Sequence, residues 1–177
     1  MLKSKNDYLK IQSKFKYFVF LVLYFLTYPL AKLICGRKNN WIICERGDDA
    51  QDNGFVFYKY LRERHKEINA YFLIKKDSPD FKKVNNLGKT IKFGSIKHFI
   101  FVIGTPVKIS SHLFGYAPWA PMNKYYRRNR TNDVHVFLQH GIIKNFHQGL
   151  VKDVCKSLDL FICGAKPEYD YIPILQS

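Results

Sequence analysis

Val134-His135-Val136-Phe137-Leu138-Gln139-His140-Gly141-Ile142-Ile143-Lys144 reads as a strand that carries an imidazole to its own end. The run from Val134 to Gln139 is apolar and β-branched enough to lie in a sheet. Gly141 then lets the backbone turn sharply and a ligand approach closely. Working outward from this run, Trp41 to Glu45, Ala70 to Lys75, Thr90 to Phe93, Val107 to Ser111 and Leu160 to Cys163 have the same character. Between them, Asn53 to His65, Pro79 to Leu87, Ile96 to Ile103 and Leu150 to Leu158 carry apolar residues at helical spacing. Phe57, Tyr60 and Leu61 share one face while Lys59, Arg62 and Glu63 point away. This alternation predicts an α/β domain, a Rossmann-like parallel sheet with right-handed crossovers and helices on both faces. Sheets of this kind bind ligands beyond the carboxyl ends of their strands.

A chain of 177 residues is the size of one domain with an appendage, too short for two full Rossmann-type halves. With 47% hydrophobic and 16% aromatic residues it can fill a core. Lys and Arg number 29 against 14 acids, a formal charge of +15, so the expected partners are anionic: lipid, a phosphate-bearing substrate or nucleic acid. The charge lies on no recognisable nucleic-acid reading motif, and no nucleic-acid partner is expected. Cys35, Cys44, Cys155 and Cys163 have neither zinc-finger nor redox spacing, so no metal site and no cofactor are expected. Cys44 and Cys163, inside apolar runs, are expected to be buried thiols.

Residues 1–39 differ from the 40–177 domain. Lys3, Lys5, Lys10, Lys14, Lys16, Lys32, Arg37 and Lys38 stand there against the single acid Asp7. Tyr17 to Ala31 carries no charge, so a helix over it is apolar on every face. Its length of about 22 Å falls short of a hydrocarbon core unless Lys16 and Lys32 snorkel. Membrane association, peripheral or by a short anchor at the cytoplasmic face, is the expected role. A signal peptide and a helix buried against the domain are the alternatives; no A-x-A cleavage site follows.

Three polar clusters fall at strand ends: Arg46 to Gly54, Ser110-Ser111-His112, and Gln139 to Lys144. An imidazole at His140 suits proton removal from a hydroxyl, because its pKa lies near working pH. A structural histidine bonded to a carbonyl fits the same pattern. Asp52 and Asn53 suit either a helix cap or the hydroxyls of a substrate. His112 reads as a loop residue or a support for its neighbours. Lys124, Arg127, Arg128 and Arg130, interleaved with Tyr125 and Tyr126, suit phosphate docking or a solvated loop. No GxGxxG, P-loop, HExxH or GxSxG motif is present.

The order of these elements resembles the CDP-glycerol glycerophosphotransferase family, which builds teichoic acids and related capsule polymers. The resemblance spans about residues 40–177. It rests on Glu45 to Gly54, Phe57-Tyr58-Lys59-Tyr60-Leu61, Ile109-Ser110-Ser111-His112, Val136-Phe137-Leu138-Gln139 and Leu160-Phe161-Ile162-Cys163-Gly164-Ala165. His140-Gly141 with Lys144 following is its most diagnostic piece. Ile142-Ile143 stand where the family usually has Thr-Pro, marking a divergent subgroup. The resemblance implies the amino-terminal, acceptor-side half of a glycosyltransferase-B-type fold. A carboxy-terminal donor-binding domain has no counterpart in the sequence. The chain is therefore expected to be incomplete alone, with a separately encoded half as a possible partner. It further implies His140 as catalytic base, with Arg46, Asp52, Asn53, His112, Gly141 and Lys144 as acceptor-binding residues. The donor would be of the CDP-glycerol type and the acceptor a lipid-linked polyol phosphate. The rival expectation is a non-catalytic, membrane-docked module that holds anionic polymer or lipid-linked precursor.

Overall fold

The computed structural model describes residues 5–129, 131–141, 157–166 and 169. Six strands are seen among them: β1 Asn40–Cys44, β2 Asn69–Ile74, β3 Lys89–Lys92, β4 Val107–Ser110, β5 Val134–Phe137 and β6 Leu160–Phe161. Five helices accompany them: α1 Lys5–Cys35, α2 Asn53–Arg64, α3 Phe81–Leu87, α4 Ile96–Gly104 and α5 Ala120–Arg128. All described strand pairings are parallel, in the order β3-β2-β1-β4-β5-β6. The predicted Rossmann-like α/β fold is therefore present, and the direction of strand order reverses between β1 and β4. Residues 150–156 of the expected 150–158 helix, together with Arg130, Lys144 and Cys155, lie outside the described residues.

Period-two alternation divides the sheet between two cores. Ile42 and Cys44 of β1, with Leu73 of β2, join Val102 and Ile103 of α4 and Met122 and Tyr126 of α5 on one face. Ile43, Phe72 and Ile74 turn to the other, against Tyr58 and Leu61 of α2 and Val84 of α3. Helices thus cover both faces, each buried aromatic or aliphatic side chain contributing about 1.5–3 kcal/mol.

Two expectations need correction. The basic segment around Lys124 is no solvated loop, because Ala120–Arg128 is helical and buries Met122 and Tyr126 while Arg128 stays exposed. Pro121 sits at the start of this helix, where its missing N–H costs nothing. Cys163 is only half-buried, unlike Cys35 and Cys44. It follows β6, a two-residue strand.

Helix α1 packs along α4 and α5. Phe20, Tyr24, Ala31 and Cys35 are buried, and a Cβ on Gly104 of α4 would sit 2.1 Å from the Ala31 carbonyl oxygen. Only glycine permits that approach. At the opposite side of this contact Lys32 Nζ donates to Asp133 Oδ1 at 2.5 Å, and the fully buried Lys108 donates to Asp133 Oδ2 at 2.7 Å. Burial lowers Lys108 to about 8, and Asp133 opposes that fall. One carboxylate thus joins α1 to β4 in the interior, where an unpartnered ammonium would be costly.

Candidate functional site

The site is assembled by strand register. Cys44 pairs with Ser110 and Ser110 with Phe137, so β1, β4 and β5 end level with one another. The segments after them, 45–53, 111–117 and 138–141, meet at the carboxyl edge beside the reversal of strand order.

Glu45 organises the first segment, a role that reading it as a polar strand end missed. It is buried, and its carboxylate accepts from the amides of Gln51 at 3.0 Å, Asp52 at 3.0 Å and Phe55 at 2.8 Å. Burial pushes this carboxyl above its usual range, against the three amides that lower it. The signal in the sequence was an acid ending an apolar strand just before Gly47 to Gly54, which supplies a helix start with unsatisfied amides. Asp52 caps α2 by accepting from the Asn53 amide at 2.7 Å. Arg46 is exposed and lies 3.9 Å from the Asp49 carboxylate.

Gly115 in the second segment lets the chain close over Glu45: a Cβ there would fall 2.0 Å from the Glu45 carbonyl oxygen. This holds the His112 turn down on β1. The His112 amide donates to Ser110 Oγ at 3.2 Å, and Ser111 Oγ lies 3.3 Å from His112 Nδ1.

In the third segment Gln139 adopts a left-handed backbone, φ 61°. The Asn53 side-chain amide fixes this turn, donating to the Gln139 carbonyl at 2.8 Å. The Gln139 side-chain amide in turn donates to the Gly141 carbonyl. The chain so turned lays the exposed His140 ring over that of His112, centroids 4.3 Å apart and planes 13° apart. Burial, His140 and Arg46 together hold His112 below the usual histidine range, while Asp52 and Asp49 pull weakly the other way. Six predicted site residues, Arg46, Asp52, Asn53, His112, His140 and Gly141, therefore come from three segments to one edge, and Lys144 lies outside the described residues.

Beside Gly141 opens a cavity of about 530 Å³ between α2 and the ends of β5 and β6, walled by Val56, Phe57, Tyr60, Leu138 and Ile162. Its surface is mostly carbon, with Asn53 and Gln139 as polar edges. No cluster of three or more metal-ligating side chains occurs among the described residues.

The chain matches the family model described as CDP-glycerol:poly(glycerophosphate) glycerophosphotransferase over residues 27–152. It is also similar to the minor teichoic acid biosynthesis protein GgaB of Bacillus subtilis (strain 168), 34% identical over 138 residues. That match takes in 77% of this chain and 15% of the relative's length. No solved structure matches it. The family model covers the reversal point, both histidines and the segments that position them, and the chain belongs to the CDP-glycerol:poly(glycerophosphate) glycerophosphotransferase family.

Proposed function

We propose that this domain presents the acceptor hydroxyl in a glycerophosphotransferase that makes a teichoic acid or related polymer, with His140 as its general base. The observation that carries this reading is the exposed imidazole at the end of β5, held over His112 at the reversal of strand order, in a chain of this family. His140 removes the hydroxyl proton as the oxygen attacks the β-phosphorus of a CDP-glycerol-type donor, and CMP leaves. Arg46, and Lys144 beyond the described residues, meet phosphate charge. Asp52, the free edge of Asn53 and the Gly141 backbone orient acceptor hydroxyls, and the carbon-lined cavity takes the acceptor skeleton.

In the two-domain arrangement that the family resemblance implies, a facing domain grips the CDP. CMP release from CDP-glycerol, with lipid-linked polyol phosphate as acceptor, is expected to rise at least about a hundredfold when a donor-side domain of the family is supplied with this chain. Binding of acceptor with no transfer under any such combination would favour the non-catalytic module instead.

The same reading sets the domain on the cytoplasmic face of the cell membrane. Its support is the outer face of α1, where Phe15, Phe18, Phe25, Leu26, Leu30 and Leu33 are all more than half exposed. Gln12–Cys35 is long and apolar enough to cross a membrane, and within it residues 17–31 carry no charge, with Lys14 and Lys16 before them and Lys32, Arg37 and Lys38 after. With the opposite face committed to α4 and α5, the helix lies along the interface, its basic flanks toward anionic headgroups. The triple change Phe18→Glu, Leu26→Glu, Leu33→Glu is expected to weaken cosedimentation with anionic liposomes at least about tenfold, since each buried side chain is worth about 1.5–3 kcal/mol. Thermal stability should hold, because none of the three faces the core. Unchanged liposome binding would refute the attachment.

A further inference from the structure

The parallel rings of His112 and His140 leave room for one positive charge, not two. At a centroid separation of 4.3 Å, two imidazolium ions repel strongly, whereas an imidazolium lying on a neutral ring is attracted to its π face. The question is which ring carries the proton, and the surroundings of the two differ. His112 is half-buried, its amide is tied to Ser110 Oγ, Ser111 Oγ lies beside its Nδ1, and Arg46 is the nearby cation. Asp49 and Asp52 face it from the segment after β1 and act in the opposite sense, but burial, His140 and Arg46 outweigh them. His140 has its outer face open to solvent, where a hydroxyl can reach it.

We propose that His112 is a positioning residue for His140, laying a neutral imidazole beneath it so that the proton taken from the acceptor comes to rest on His140 alone. This rests on the reading of His140 as general base. In the step, the acceptor O–H bond breaks and an N–H bond forms on His140. The acceptor oxygen bonds to the β-phosphorus as its bond to the CMP oxygen breaks, and CMP leaves with that electron pair. The positive charge on His140 is stabilised by the π face of His112 at the moment it appears. The stack also fixes the ring plane of His140, which otherwise hangs from an exposed turn. Acid reverses the advantage: a proton on His112 removes the π face and repels the one on His140.

Imidazole ¹⁵N–¹H correlation spectra of the ¹⁵N-labelled full chain in micelles, titrated from about pH 8 to about pH 5, test this. The His140 resonance is assigned by its loss in His140→Gln. The expected result is stepwise protonation of the pair, with the His112 ring still neutral when the first proton has settled on His140. His112→Phe, which keeps a stacked ring but cannot titrate, should remove the second step and keep the His140 ring ordered. His112→Ala should leave that ring averaging between rotamers. Independent titration of the two rings, or first protonation of His112, overturns the proposal. In the transfer assay His112→Ala should lose at least about tenfold in turnover and His112→Phe should recover most of it. Equal loss in both would also overturn it, by showing that the His112 nitrogens are needed. If instead the stepwise titration is seen but His140→Ala transfers normally, the base assignment fails while the one-proton pair stands.

Discussion

His140→Ala is expected to lower transfer to the acceptor by at least about a hundredfold while moving the thermal midpoint by no more than a few degrees. A general base contributes about 10² to 10⁴ in rate, roughly 3–5 kcal/mol of barrier. The separation of the two effects follows from where the side chain sits. His140 is exposed and lies on one face against His112, so truncating it opens no cavity in either core. The turn that carries it is held by Asn53 on the Gln139 carbonyl, not by the imidazole. A structural histidine would behave in the opposite way, losing stability first and activity only with the fold. Initial rates and melting curves on the same preparation check this. Near-normal turnover in the alanine variant would remove His140 from the chemistry and leave the family fold without an assigned base.

The sheet was legible because burial imposes period two on a strand. Ile42 and Cys44 face one core and Ile43 the other, and all six strands begin or end within a residue or two of the expected positions. Helix α1 was harder. A stretch apolar on every side does not say which side meets protein, and here one face packs on α4 and α5 while the other stays exposed. The discriminating residue was Gly104, which looks like an ordinary helix end and is in fact the point of closest approach to α1. Lys108 and Asp133 were equally silent, since charges near strand ends usually point to water and these two are buried with each other.

The candidate site shows the same division. His140 announced itself by standing between an apolar run and a glycine, and Asp52 by standing before a helix. Their company did not. Twenty-seven residues separate His112 from His140 in sequence, and only the register of β4 with β5 brings the rings together. Glu45 escaped because its partners are backbone amides, which have no signature of their own in the sequence. The polar network around His135 escaped because its side-chain partners stand on segments outside the strand. His135 lies within β5, where Tyr116 and Thr131 take its two nitrogens.

Two buried histidines lead to the remaining prediction, that the fold loses about 4 kcal/mol between pH 7.5 and pH 5. His98 donates from Nε2 to the Tyr116 carbonyl at 2.8 Å and accepts from the Gly94 amide at Nδ1, so its neutral form is satisfied and a second ring proton has no acceptor. His135 bonds to Tyr116 and Thr131 with the Lys108 ammonium nearby. Burial lowers each from 6.5 to about 4, and in His135 Lys108 adds to the effect. Below pH 6.5 the unfolded chain therefore takes up protons that the folded chain refuses until about pH 4, and stability falls as pH falls through that window. At pH 5 each ring costs about 2 kcal/mol, and for a chain of this size the two together lower the melting midpoint by about 10 °C. Circular-dichroism melts in one detergent at the two pH values measure it. His98→Gln, which keeps a donor and an acceptor but cannot titrate, should have a lower midpoint at pH 7.5 and about half the pH dependence. A midpoint that holds within a few degrees down to pH 5 would mean that water reaches both rings and that neither is sealed by the packing of α4 and α5 against the sheet.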